Sequence, residues 1–344
     1  MKTNFIIAAI FVVAFSVGGC ITKKDFDFKV TVIPQKYNSI TTISDLNKAA
    51  EVINKRLNYF FNIPQKRIKL DVAENKISLT ISKIDTSKIN LIKKEITGYN
   101  KLEFWETYEN MEIVGYLSKA NNVLRDIETN VTGKDIVKKT VPKAPADTIK
   151  KDNQNPLFGI LSPRVTGQGE PSPSCMIGLV SGKDTSEVNR YFKMDQIKSL
   201  FPPDLKFYWS MNPYKYDRSK SLYELHAIKV TTTNKQAPID GSVIISAKAT
   251  TGPNNSGVKI DLTMDSEGAK TWAGITRGNI NRCIAVVYDG YVRSYPRVMN
   301  EISGGSTEIT GDFTIEEAND LVNILKSGEL PFQLKIIEEQ IVKE

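Results

Sequence analysis

Residues 310–340 read TGDFTIEEANDLVNILKSGELPFQLKIIEEQ. Thr314 and Glu317 have the T-x-x-E spacing of a capping box, so a helix is predicted to start there. Ile315, Ala318, Leu321, Val322 and Leu325 fall on one face of it at i, i+3, i+4 spacing. Gly328 suits the left-handed position that ends a helix, and Pro331 prevents the helix from resuming. The following FQLKII reads as a strand. What this helix-turn-strand unit leads into is the first question the chain poses.

Further back, the pattern is regular. Residues 22–37 read as a tether followed by a strand, DFKVTVI. Thr42 to Phe61 is an amphipathic helix with Leu46, Ala49, Ala50, Ile53, Leu57 and Phe60 in register. RIKLDV and KISLTIS are strands on either side of an AEN turn. Thr86 to Thr97 is a second helix, and KLEFWETY reads as a strand. Strand-helix-strand-strand-helix-strand is the split βαβ pattern of a ferredoxin-like unit. A short helical piece spans 116–127. Residues 130–174 are rich in Pro, Lys, Thr and Gly, as in VPKAPADTIKKDNQ and TGQGEPSPS, and read as a poorly ordered surface insertion.

Order returns at Cys175. CMIGLV is a strand, DTSEVNRYFKMDQIKSLF a helix, and LKFYWSM and LYELHAIKV are strands. GSVIISAKAT and VKIDLTM are strands, and SEGAKTWAGITRGNI is a helix. CIAVVYDGYVRSYPRV is a hairpin turned at Asp289-Gly290, a favoured type I′ pair. The whole reads as α+β, with mostly antiparallel strands and helices packed on a face.

At 344 residues the chain is long enough for two domains. Its net charge of +7 comes largely from dispersed Lys, with no Arg-rich stripe or RNA-binding signature. Nucleic acid is therefore not an expected partner. The N-terminal KTNFIIAAIFVVAFSVGGC joins a Lys, an apolar run from Phe5 to Val17, and small residues before Cys20. That is the form of a lipoprotein signal peptide, with Cys20 as the lipid-bearing residue of the mature chain. The other reading is an uncleaved anchor of about 26 Å, at 1.5 Å per residue through Ile21. Either places the body outside the cytoplasm, in the periplasm and tied to a membrane. Export would permit a disulfide between Cys175 and Cys283. No spacing rule brings them together, and Cys283 opens an apolar strand, so two free, buried thiols are expected.

The one histidine, His226, sits in an alternating strand and reads as structural. With it alone and no C-x-x-C, an ordinary zinc site cannot be assembled. No G-x-S-x-G elbow and no phosphate-binding glycine loop occurs. The acidic pairs Asp25/Asp27, Glu316/Glu317 and Glu338/Glu339 read as solubility and helix-dipole residues rather than a glycosidase pair. Phe207, Tyr208, Trp209, Tyr288, Tyr291 and Tyr295 alternate with polar residues. They read either as half-buried sheet packing or as an adhesive groove for extended peptide. No catalytic, cofactor or metal role is expected. The residues point to an exported, membrane-tethered binding module.

Several runs together resemble the first periplasmic domain of the SecD/SecDF protein-export family. They are Glu267-Gly268-Ala269, Ile275-Thr276, Asn279-Ile280, AVVYDG with Ser294-x-Pro296, Gly304-Gly305, ITGDFTIEEANDL, LKSGELP and KIIEE. EFWETY at 103–108 and KDTSEVNRYF through LHAIKV look like the variant in which SecD is fused to SecF. The resemblance implies a ferredoxin-like base from residues 22–112, completed by 331–344, and an inserted α+β head over 113–330 with a flexible insertion at about 130–174. It implies that the head holds emerging exported polypeptide and that Sec translocase subunits are partners; of the strand aromatics read above, Tyr288, Tyr291 and Tyr295 are the candidate contacts.

Two departures shape the expectation. Asp27-Phe28-Lys29 is followed by Val30-Thr31 where the family usually has Gly-Gly. The sequence reaches Glu344 without the later membrane helices that couple protons in the family. The expectation is a non-enzymatic SecD-like domain that assists translocation without proton-coupling helices of its own. The alternative is a structural envelope lipoprotein that docks on a membrane complex and binds no preprotein.

Overall fold

The computed structural model describes residues 26–35, 41–132, 154–252, 257–310 and 313–343. Cys20 and the N-terminal apolar run lie outside the described residues, as does 133–153 of the expected insertion.

The first unit contains β1 (Phe26–Pro34), α1 (Ile43–Phe61), β2 (Ile68–Ala73), β3 (Lys76–Ile84) and α2 (Ile89–Thr97). A capping box starts α1: Thr42 Oγ1 accepts from Asp45 N, and Thr42 N donates to the Asp45 carboxylate. Along β1, Phe28, Val30 and Val32 point inward, and α1 and α2 cover that face with Leu46, Ile53, Leu57, Ile92 and Ile96. Each fully buried Leu or Ile contributes about 1.5–3 kcal/mol. The sheet order is β15-β1-β3-β2, all antiparallel, where β15 is Leu334–Lys343.

The fourth strand of this ferredoxin-like sheet is therefore β15. It is not KLEFWETY, which the local pattern supplied. That segment forms β4 (Leu102–Glu106) in a different sheet. The reason lies in its side chains. Leu102, Glu103, Phe104 and Trp105 are all buried, so β4 needs cover on both faces. A sheet with helices on one side cannot give that.

After β4 come α3 (Asn110–Thr132), β5 (Leu161–Pro163), β6 (Met176–Ser181), α4 (Thr185–Lys193), α5 (Asp195–Lys198), β7 (Leu205–Ser210), β8 (Leu222–Lys229) and β9 (Ile239–Asp240). The chain then makes β10 (Ile244–Thr251), β11 (Val258–Met264), α6 (Ser266–Gly278), β12 (Ile284–Tyr288), β13 (Tyr291–Ser294), β14 (Ser306–Thr310) and α7 (Ile315–Ser327). Eight strands form one sheet in the order β5-β6-β8-β7-β13-β12-β4-β9, in which only β13 and β7 run parallel. A three-stranded sheet, β10-β11-β14, stands beside it.

Helices α3 to α5 pack on one end of the eight-stranded sheet through Leu117, Leu124, Val188, Tyr191 and Ile197. On the other end, Phe104, Ile284 and Val286 meet Trp272 of α6 and Leu321, Val322 and Leu325 of α7. Residues 154–174, read from the sequence as poorly ordered, hold Leu157 and Leu161 fully buried in the cluster under α3. Asn121 Oδ1 of α3 accepts from both Leu157 N and Phe158 N. The single helix expected over 184–201 is broken at Met194, which is extended (ψ 129°). The 116–127 piece is part of the much longer α3.

The free thiols expected of Cys175 and Cys283 are not found. The two form a disulfide across 108 residues, with Cα atoms 6.2 Å apart, joining the starts of β6 and β12. Tertiary packing brings them together, which no sequence spacing could announce.

Candidate functional site

The opening capping box holds: Thr314 Oγ1 accepts from Glu317 N at 3.1 Å, and Thr314 N donates to Glu317 Oε2 at 2.9 Å. This fixes α7 against β10 and β11, whose neighbour β14 ends just before it. The Asp289-Gly290 turn has φ of 48° and 82°, as a type I′ turn requires. It folds β13 back on β12 so that Pro296, Val298 and Met299 face β14.

Between these elements lies an apolar groove of about 410 Å³. Its floor is Phe104, Trp272, Ile284 and Val286; its rim includes Met299 and Ile302. All five residues of β14 line it. Successive strand residues point to opposite faces, so the groove follows the strand's edge. β14 pairs only with β11, and its outer edge carries no strand among the described residues. The rim is held in place by Ile302 N donating to Thr276 Oγ1 at 3.0 Å and by a two-bond Arg277–Glu301 pair at 2.8 Å.

Trp272 is 5% exposed and its indole nitrogen has no hydrogen-bond partner. Its ring meets Phe104 edge-on at 5.3 Å. A buried, unpaired N–H costs about 1–3 kcal/mol, which the packing of Trp272 against Phe104 offsets.

A second cavity of about 470 Å³ meets the first at Pro296 and Thr310, which line both. It is more polar. His226 is fully buried at its edge, with Nδ1 3.2 Å from Cys175 O and Nε2 3.2 Å from Glu224 Oε2. The Tyr295 hydroxyl donates to Glu224 Oε1 at 3.1 Å. Burial, followed by the field of Glu224, pushes the Tyr295 hydroxyl up, so it stays protonated. The closed Glu224–His226–Tyr295 set leaves His226 no free nitrogen for a nucleophile.

The three candidate contact tyrosines do not share one groove. Tyr288 is half-buried and its hydroxyl donates to Asn100 Oδ1 at 2.6 Å. Tyr291 is 49% exposed at the hairpin tip. Tyr295 packs on the opposite sheet face from Tyr288, against Trp105, Tyr208 and Val292. Of the three, Tyr295 alone lines a cavity that meets the groove. The aromatics that line the groove itself, Phe104 and Trp272, carry no local sign of it: each reads as part of its strand or helix, and the unpaired N–H of Trp272 is a property of packing.

Residues 219–332 match the family "SecDF, P1 head subdomain". The protein translocase subunit SecD of Rhodothermus marinus is 36% identical over 190 residues, which are 55% of this chain and 28% of that protein. The SecD of Syntrophobacter fumaroxidans is 25% identical over 306 residues, covering 78% of this chain and 56% of that one. Over residues 219–332 the chain is similar to the SecDF P1 head subdomain, and over most of its length to SecD.

It spans between about a quarter and just over half of the length of these relatives. A crystal structure of SecDF in a super-membrane-facing form has the same fold over 93% of this chain and 30% of its own, with a TM-score of 0.51 at 18% identity. The segment matching the head subdomain holds Trp272, β12 and β14, so it contains the groove's lining apart from Phe104. Beside the groove, α6 packs closely on its neighbours: a Cβ on Gly305 would lie 2.7 Å from that of Ala269, just before β14, and one on Gly268 2.7 Å from that of Val243, just before β10.

Proposed function

We propose that this protein assists Sec-dependent protein translocation by holding an extended segment of exported polypeptide in the groove along β14. The observation that carries this reading is the pairing of an apolar floor with an unpaired strand edge. An added strand satisfies its backbone on such an edge and places alternate side chains in the groove. The relatives named above are translocase subunits, and the groove suits a client that is unfolded and read by its backbone. The protein acts by binding, tied to the membrane through its N-terminal segment, with Sec subunits as neighbours. Tyr295 marks where the held segment leaves the groove; Tyr288 serves packing.

A photoreactive residue at Met299, which is 67% exposed on the rim, tests this. Membranes carrying the full chain are supplied with a Sec-dependent preprotein arrested in mid-export. Cross-linking to that preprotein from position 299, and not from the exposed Ile43 on α1, is the expected result. Equal labelling at 43, or none at 299, overturns the reading.

A further inference from the structure

The second cavity has a charge pattern that polypeptide holding alone does not require. Its charged lining is Arg164, Lys215, Arg293 and Glu224. Both oxygens of Glu224 are engaged, by Tyr295 and His226. Arg293 is 9% exposed at its side chain, 3.0 Å from Glu317 and stacked over the Phe313 ring at 4.6 Å. Arg164 is different. Its Nε is buried and has no hydrogen-bond partner, and no carboxylate pairs with its guanidinium among the described residues. Ser294, which is 6% exposed, also lines the cavity with an unpaired, buried hydroxyl. Buried polar groups are ordinarily satisfied. An Arg164 N–H and a Ser294 hydroxyl left unpaired beside one cavity call for an acceptor, and the surrounding positive charge favours one that is negative.

The position of the cavity says what brings that acceptor. Thr310 is the last residue of β14 and lines both cavities. A strand added along β14 therefore leaves the apolar groove into the second cavity.

We propose that this cavity is an anion subsite, which takes the carboxylate of an Asp or Glu side chain lying just beyond the apolar stretch of the held polypeptide. Arg164 donates to the carboxylate, Lys215 supplies a second positive charge from the exposed rim, and Ser294 donates its hydroxyl. This rests on the groove reading above and gives it a selectivity: apolar segments flanked by an acidic residue are held in preference to those flanked by an amide.

The test uses the full chain in detergent and two fluorescent peptides. Both carry the same apolar stretch, followed in one by Glu and in the other by Gln. Anisotropy is expected to show the Glu peptide binding about fivefold more tightly, the size of one partly exposed charge-assisted bond. Arg164→Gln should reduce that preference to under about twofold while leaving the Gln peptide's affinity unchanged. Lys215→Gln, at an exposed position that cannot unfold the protein, should reduce it in part, and added salt should do the same. Equal binding of the two peptides to the unaltered protein overturns the subsite and leaves the groove standing. Binding of neither overturns both. Competition by free acetate that is as strong against the Gln peptide as against the Glu peptide also overturns the assignment, because the anion would then act elsewhere.

Discussion

Glu329 shows how one buried charge can set a pH response. It follows Gly328 at the end of α7, and burial raises its carboxyl from 4.5 to about 7, against an opposing pull from Lys101. Asp240, Glu103 and Tyr99 face it as well. A carboxyl raised in the folded state holds its proton more tightly there than in the unfolded chain. Between pH 4.5 and about 7 the folded state binds more protons, so stability falls as pH rises through that window. Glu329→Gln removes the titration and keeps the shape. Its denaturant midpoint should match that of the unaltered protein near pH 4 and exceed it near pH 8, with the gap opening across the window. Other carboxyls cancel in the difference. A gap that stays constant with pH would show that Glu329 ionises normally.

At the scale of elements, the disulfide and β4 show where sequence reading reached and where it stopped. Elements with a local signature were legible. The capping box of α7, the period of α1 and the Asp-Gly turn of β12–β13 each stand where their residues predict them. What was illegible depended on which elements meet. β4 reads locally as the closing strand of the ferredoxin-like unit, but its four consecutive buried residues belong in the interior of the larger sheet. The groove was not visible: none of the six aromatics singled out from the sequence lines it, and Trp272 and the free edge of β14 emerge only once α6, β12 and β14 are packed. Cys175 and Cys283 carry no local cue at all. Their bond closes a loop of 108 residues between β6 and β12, and such links contribute about 2–4 kcal/mol, chiefly by restricting the unfolded chain. Replacing both with Ala should lower unfolding stability by that amount in urea without reductant. Adding reductant should then shift the unaltered protein and leave the double variant unmoved. An unaltered protein indifferent to reductant would mean that the thiols are free in solution.

At the scale of the whole molecule, the four-stranded sheet is joined to the rest of the described chain by two chain crossings that lie side by side, one near Gly98–Lys101 and one near Gly328–Pro331. Arg56 of α1 binds both. It is fully buried, and its guanidinium donates to Glu95 O at 2.8 Å, Gly98 O at 2.6 Å, Tyr99 O at 3.3 Å and Gly328 O at 3.3 Å. Those carbonyls end α2 and α7, where helix dipoles favour a cation. Burial lowers the pKa of the Arg56 guanidinium, with Glu95 opposing, but arginine stays charged throughout the ordinary pH range. The crossing is braced further by Tyr288 donating to Asn100 and by the Lys101–Asp289 backbone and side-chain bonds. A load on the larger sheet would reach the ferredoxin-like unit through this clasp and through the packing of α1 on α7. Arg56→Met keeps the volume but leaves four carbonyls without a donor, at a cost of about 2–4 kcal/mol. The loss should be local before it is global. Hydrogen exchange should quicken at residues 98–101 and 328–332 while the amides of β1, β3 and β12 keep their protection. Uniform quickening across both sheets would instead mean that Arg56 supports the core of the first unit and does not join the two.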